Sequence, residues 1–321
     1  MNIFYFVAQS TMSFTIPLII VALGGMFSER SGIVNIALEG KMIMGAFAGI
    51  LFIRFSQDLF PYLPAQLVLI LGLLIGMLVG IIVSVFHAFA AINLKANQII
   101  SGVAINMFAP AFAAYASWTI IDSQIVDFNQ SPFRIESVPG LGSIPFLGPL
   151  FFQNVFITTY LGFVLLGISA FVIYKTKFGL RLRACGEHPQ AADSVGINVT
   201  KMRYAGVLIS GGLAGLGGVI WVVPISQSFA GSVEGYGFLA LAVLIFGAWK
   251  PWRILVGALL FGLMSSISVS YIVIPFLAPL GIPREFYRML PFIVTLIVLA
   301  FTSKNAAAPK AVGQPYDKGS R

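Results

Sequence analysis

Apolar runs of membrane-spanning length recur along almost the whole chain, near residues 11–27, 34–53, 65–87, 99–121, 154–174, 204–223, 235–249, 254–274 and 288–302. A bilayer core of about 30 Å needs about 20 mostly apolar residues in a helix, and backbone in lipid must satisfy its own hydrogen bonds. The runs therefore predict an all-α polytopic membrane protein with about nine transmembrane helices. Charge agrees, since 9% of the 321 residues are charged against roughly 25% in soluble domains. The expected organisation is one transmembrane domain over 1–303 and a polar, disordered tail over 304–321, with no room for a soluble catalytic domain. The first run lacks a basic segment before it and a small-residue cleavage site after it, so it reads as a retained span and not a signal peptide.

One long polar interval, residues 175–203, breaks this pattern. It carries Lys175, Lys177, Arg181, Arg183, Lys201 and Arg203 against Glu187 and Asp193, so the positive-inside rule places it in the cytoplasm. With that anchor the N-terminus falls outside and the tail inside. Arg30, Lys95, Lys250, Arg253, Lys304, Lys310, Lys318 and Arg321 then also fall inside, whereas Arg54, Arg134, Arg284 and Arg288 fall outside. Within the interval, Pro189 suits the first position of a short helix, Glu187 complements its positive end, and Gly196 suits the left-handed residue that stops it. From Pro189 to Val195 this is about two turns, roughly 10 Å. Its small face, Ala191 and Ala192, suits docking into a groove of another protein; the other reading is a plain solvated loop.

Several polar residues sit within or at the edge of apolar runs. Asn35 and Glu39 are four apart and share a helical face if the span starts at 34, while Lys41 points elsewhere and can snorkel to the cytoplasm. Charged groups at a helix centre cost about 2.5 to 3.5 kcal/mol each, so Glu39 marks either a pathway residue or a structural hydrogen bond to a neighbouring segment. Asn97, Ser101 and Asn106 open the fourth run along one face, with Gln98 beside them; neutral polar groups there suit either a path for a hydrogen-bonding solute or interhelical bonds. Gly72, Gly76 and Gly80 form a ridge in the third run, and Gly211, Gly215 and Gly218 a similar small face in the sixth, both predicting close helix contact in the bundle or at a subunit seam. The loop at 122–153, about thirty residues rich in Pro and Gly, is long for a connector; it either receives an external partner or caps the bundle. Trp249 and Trp252 fall where an interfacial aromatic belt would lie.

No phosphate-binding GxxxxGK[ST] loop, HExxH pair or cysteine cluster occurs, so neither bound nucleotide nor metal is expected. His87, at the end of a run, reads as interfacial, and Cys185 as a reduced lone thiol. The basic interval lacks the aromatic patterning of a nucleic-acid surface. Catalysis is not expected.

With these residues in view, the chain resembles a permease subunit of bacterial ABC importers, in the family serving branched-chain amino acids, simple sugars and nucleosides. SGIVNIALEGKMIMGAF, NQIISGVAIN, the loop GLRLRACGEHPQAADSVGINVTKMR with the following AGVLISGGLAGLGG, and GYGFLALAVLIFGAWKP carry the likeness across residues 31–251, about two-thirds of the chain. LEGKMIMGAF, QIISGVAIN and GFLALAVLIFG look closest to the nucleoside-type members. The resemblance implies a multi-pass protein of the bacterial cytoplasmic membrane, working with a second permease in a heterodimer, with ABC ATPase subunits that hold ATP and Mg, and with an extracytoplasmic solute-binding lipoprotein. It implies that Glu187, Pro189, Ala191, Ala192, Asp193 and Gly196 form an ATPase-coupling helix. Simple sugars, branched-chain amino acids or a flavin are alternative cargoes. A stand-alone secondary transporter or channel, with Glu39 as its ion site, is the alternative of another kind.

Overall fold

The computed structural model describes residues 3–274, 277, 279, 283–302 and 308–317. Lys304, Lys318 and Arg321, expected in the tail, lie outside the described residues, as do the side chains of Arg284 and Arg288. Each apolar run lies on a helix: α1 Ile3–Arg30, α2 Leu38–Leu59, α3 Ala65–Ala88, α4 Gln98–Ile121, α5 Ile157–Lys175, α8 Val199–Ile225, α9 Tyr236–Phe246, α10 Pro251–Ser270 and α11 Arg284–Thr302. The basic interval holds two more, α6 Lys177–Glu187 and α7 Pro189–Ser194. Among the described residues, α1, α3 with its π-helical end, α4, α5, α8 and α10 are long and apolar enough to cross a membrane, 6 in all. Helix α9 has only 11 residues, about 16 Å at 1.5 Å each, and does not span on its own. Helix α2 starts at Leu38 and not at 34, because residues 31–37 form turns and extended chain.

Glycine contacts bring the helices of the core together. Helix α8 packs against α1, α2 and α3. A Cβ on Gly76 would sit 2.6 Å from Val219 Cγ2, 3.0 Å from Gly45 O and 3.1 Å from Gly215 O. A Cβ on Gly215 would lie 2.9 Å from Gly80 Cα, and one on Gly45 would lie 2.6 Å from Gly215 C. The ridges of α3 and α8 therefore meet each other and α2 backbone to backbone inside the protomer. Without a hydrophobic force between helices in lipid, such dispersion contact is what holds them. Helix α1 lies in the centre, buried along most of its length from Thr11 to Glu29.

The connections sort to the two ends of the bundle. At one end, Arg30 bonds Trp249 O (3.2 Å) and pairs with Glu187 (3.8 Å), and Lys95 pairs with Asp317 (2.7 Å). At the other, strand β1 Val126–Asp127 pairs with β4 Ser228–Phe229, and β2 Arg134–Ser137 with β3 Gln153–Phe156, both antiparallel. Gln57 and Asn129 exchange two hydrogen bonds there, and Gln9 donates to Pro149 O. Phe128 and Phe133 are buried, so the 122–153 segment is a folded cap. A cavity of about 780 Å³ opens between it and the α2–α3 connection, with Arg54, Asp58, Asp127 and Gln227 in its wall.

Two expectations fail at the basic end. Trp249 is buried and donates through Nε1 to Glu29 Oε2 at 2.6 Å, so only Trp252, 61% exposed, is free to face lipid or headgroups. The tail is ordered over residues 308–317 and lies across the loops of this end, because its backbone finds hydrogen-bond partners there.

Candidate functional site

At the basic end the polar interval folds as a helical hairpin. Thr176 caps α6 by accepting from Gly179 N at 3.1 Å, and Asn198 caps α8 by accepting from Lys201 N at 2.9 Å. Pro189 occupies the first turn of α7. Its far end closes with Ile197 N donating to Ala192 O and Gly196 N to Asp193 O, with Gly196 at φ +82°. This paired closure needs a left-handed residue, which glycine adopts without strain. Lys175, Lys177, Arg181 and Lys201 are exposed around the hairpin.

The faces of α7 differ from the expected ones. Ala192, 2% exposed, turns inward with Pro189 and packs with Cys185 and Val199, whereas Gln190, Ala191, Ser194 and Val195 turn outward, Val195 at 74% exposure. The inward turn follows from the six-residue length of α7: one side must rest on the amphipathic α6 for so short a helix to persist. Glu187 does not cap α7. It reaches Arg30 at 3.8 Å, and Lys310 N approaches it at 3.5 Å. Burial pushes the Cys185 thiol up to about 11, leaving it inert.

A second polar cluster lies where α2 begins. Asn35 is on the extended chain before the helix, so it does not share a helical face with Glu39. Its Nδ2 donates to Ser210 Oγ (2.6 Å), and its Oδ1 accepts from Lys41 Nζ (2.8 Å). Lys41 is fully buried and does not snorkel. Val34 N donates to Gln98 Oε1 (2.7 Å), while His87 lies 3.0 Å from both Val34 O and Ser101 Oγ. Since a carbonyl can only accept, His87 donates through Nε2 and accepts from the serine. His87 is buried and thus not interfacial. Asn106 Nδ2 donates to Ile36 O (2.9 Å) and its Oδ1 accepts from Gly40 N (2.7 Å). Asn97 caps α4, accepting from Ile99 N and Ile100 N, and so is not part of a stripe with Ser101 and Asn106.

Glu39 pins α2 to the start of the short helix α9. Its Oε1 accepts from Gly235 N (3.0 Å) and its Oε2 from Gly237 N (2.6 Å). A carboxylate at a helix N-terminus complements the unpaired amides and the dipole at once. Gly237 permits the approach, since a Cβ there would lie 2.8 Å from Glu39 Oε2.

His87, Ser210, Glu29 and Arg203 were missed as site residues, and Gln98 was placed among the neutral polar groups of the fourth run without its partner. Gln98 had a signal in the break that a Ser-Gly-Ile-Val-Asn stretch imposes on a helix, which leaves backbone groups for polar side chains to serve. Arg203, 1% exposed, had none: its place under residues 314–316 depends on the fold.

The model of a family described as branched-chain amino acid transport system / permease component matches residues 7–299. The guanosine ABC transporter permease protein NupQ of Bacillus subtilis (strain 168) is 45% identical over 317 residues, covering 98% of this chain and 97% of NupQ. The nucleoside ABC transporter permease protein NupC of Lactococcus lactis subsp. cremoris (strain MG1363) is 40% identical over 318 residues, covering 99% of this chain and 98% of NupC. A more distant relative, the guanosine ABC transporter permease protein NupP of Bacillus subtilis (strain 168), is 26% identical over 321 residues, covering 98% of this chain and 86% of NupP.

Proposed function

We propose that this chain, which belongs to the family of branched-chain amino acid transport system permease components, forms one half of the transmembrane pathway of an ATP-driven nucleoside importer. The observation that carries the cargo is the 45% identity to a guanosine permease across almost the full length of both chains. In this reading the basic end is cytoplasmic, as the positive-inside rule requires, and the N-terminus and the 122–153 cap are outside. Nine crossings follow if α2, α9 and α11 complete theirs in the assembly.

The outward face of α7, Gln190, Ala191, Ser194 and Val195, is the surface offered to the ATPase. ATP and Mg²⁺ belong to that partner, and this chain hydrolyses nothing. When the ATPases close, the docked α7 moves with them, and α6 carries the motion to α5 and α8, on which it packs. Two guanosine permeases named in one organism support a heterodimer of this chain with a second permease. A solute-binding lipoprotein would engage the folded cap and its cavity. A stand-alone ion-coupled transporter would need a free acid, and Glu39 is already engaged by two backbone amides.

Radiolabelled guanosine uptake into vesicles bearing the permease pair, the ATPase and the binding protein tests this. Uptake that needs ATP and is competed by nucleosides is expected. Uptake of glucose or branched-chain amino acids but not guanosine overturns the cargo, and uptake by this chain alone on an ion gradient overturns the class.

A further inference from the structure

The segment 308–317 joins parts of the basic end that are far apart in sequence. Ala311 N donates to Gly186 O at 2.9 Å, at the end of α6, and Gly313 N to Gly32 O at 3.1 Å, in the turn between α1 and α2. Arg203 Nη1, at the start of α8, donates to Gln314 O at 3.0 Å, and its guanidinium lies 5.9 Å from the Tyr316 ring centroid. Tyr316 also packs on the Cys185–Ala192–Val199 cluster that seats α7, and Asp317 pairs with Lys95 ahead of α4. Gly313 adopts φ +79°, and a Cβ there would stand 3.4 Å from Val34 Cγ2. Val34 is the residue whose N–H and C=O are held by Gln98 and His87.

We propose that residues 308–317 are a positioning strap, which clamps the α6–α7 hairpin to the α1–α2 turn so that displacement of α7 is delivered to the buried polar cluster at the start of α2. The strap works through backbone bonds to Gly186 and Gly32, and Tyr316 covers the seat of α7. Without it, α6 would keep its packing on α5, α1 and α8 and the Arg30–Glu187 pair, but the seat of α7 would lose the cover of Tyr316, and the turn at Gly32 would lose the backbone bonds that reinforce its contact with the hairpin. The inference rests on the importer reading for what displaces α7, but the clamp can be measured without it.

Cys185 lies beneath the strap and reports on it. In the full-length purified chain, alkylation of Cys185 by N-ethylmaleimide requires local opening. Tyr316→Ala and Gly313→Val are expected to speed that reaction about tenfold, equivalent to about 1.4 kcal/mol of lost closure. Gln314→Ala, which removes an exposed side chain and leaves the backbone carbonyl to Arg203, is expected to react at the wild-type rate. Wild-type rates in both strap variants would overturn the clamp. The second readout is guanosine moved per ATP hydrolysed in the reconstituted importer. Tyr316→Ala is expected to lower that ratio several-fold while the ATPase still co-purifies, and a wild-type ratio would overturn the delivery of motion. If the wild-type chain retains no ATPase, the importer reading fails, and the alkylation rates alone decide the clamp.

Discussion

Replacing Glu39 by glutamine isolates what its carboxylate does for the fold. The side chain keeps its length, but one oxygen accepting from Gly235 N or Gly237 N becomes an NH₂ that faces a donor. A hydrogen bond to a charged group is worth about 1.5 to 3 kcal/mol, and loss of the helix-dipole interaction adds about 0.3 to 1 kcal/mol. The expected loss is about 3 kcal/mol, or roughly 6 °C in Tm for a chain of this size. Tryptophan fluorescence during heating is a suitable assay, because Trp221 lies 5.4 Å, centroid to centroid, from Tyr236, the first residue of α9. Glu39→Ala, which leaves both amides bare, should fall further. Should Glu39→Gln melt like wild type and yet abolish uptake, the carboxylate acts on cargo or protons and the account of it as a pin is wrong.

Gly76→Ala places a methyl against Val219, Gly45 and Gly215; overpacking of about 1 to 3 kcal/mol should lower Tm by several degrees, and an unchanged Tm would mean that α3 and α8 are not in backbone contact. Val195→Asp, on the exposed end of α7, should prevent ATPase co-purification at unchanged Tm, whereas Ala192→Asp, in the seat of the helix, should lower Tm as well; the reverse pattern would exchange the two faces. Because buried Cys185 reacts only from an opened, solvated state, its alkylation rate should climb with pH and level near the ordinary thiol value of about 8.5, whereas a rate still climbing about tenfold per unit past about pH 9 would mean that the reagent reaches the thiol in its closed seat, where burial pushes it up to about 11.

Features set by local chemistry were legible in the sequence. Apolar runs marked the helices, Pro189 and Gly196 marked the ends of a short one, and the glycine spacing of α3 and α8 marked close packing. Features set by distant partners were not. The pairing of Asn35 with Glu39 assumed a helix already formed at 34, and a four-residue shift in its start, to Leu38, removed the shared face. Lys41, His87 and Trp249 were read by the rule that polar and amphipathic groups near a helix end seek the interface. Each found a partner elsewhere in the chain instead: Asn35, Val34 with Ser101, and Glu29. The tail read as disordered because ten polar and small residues carry no periodic signal, yet its order comes from carbonyls of Gly32 and Gly186 that no local pattern announces.

Four polar residues inside the bundle share one task. They serve backbone groups freed where helices are interrupted: Gln98, His87 and Asn106 serve residues 34, 36 and 40 around the start of α2, and Glu39 serves residues 235 and 237 at the start of α9. Lipid offers those groups nothing, so an interrupted helix in a membrane persists only with such side chains in place. The two interruptions are themselves joined, since Glu39 belongs to the first turn of α2 and holds the first turn of α9. A shift at the α1–α2 turn therefore moves the end of α9 through one residue. The strap reaches that turn at Gly32 from the hairpin that carries α7. The polar residues inside the bundle thus fit better as the joints of a moving frame than as a water-like lining for cargo, and the pathway is better sought on the surfaces that these joints displace.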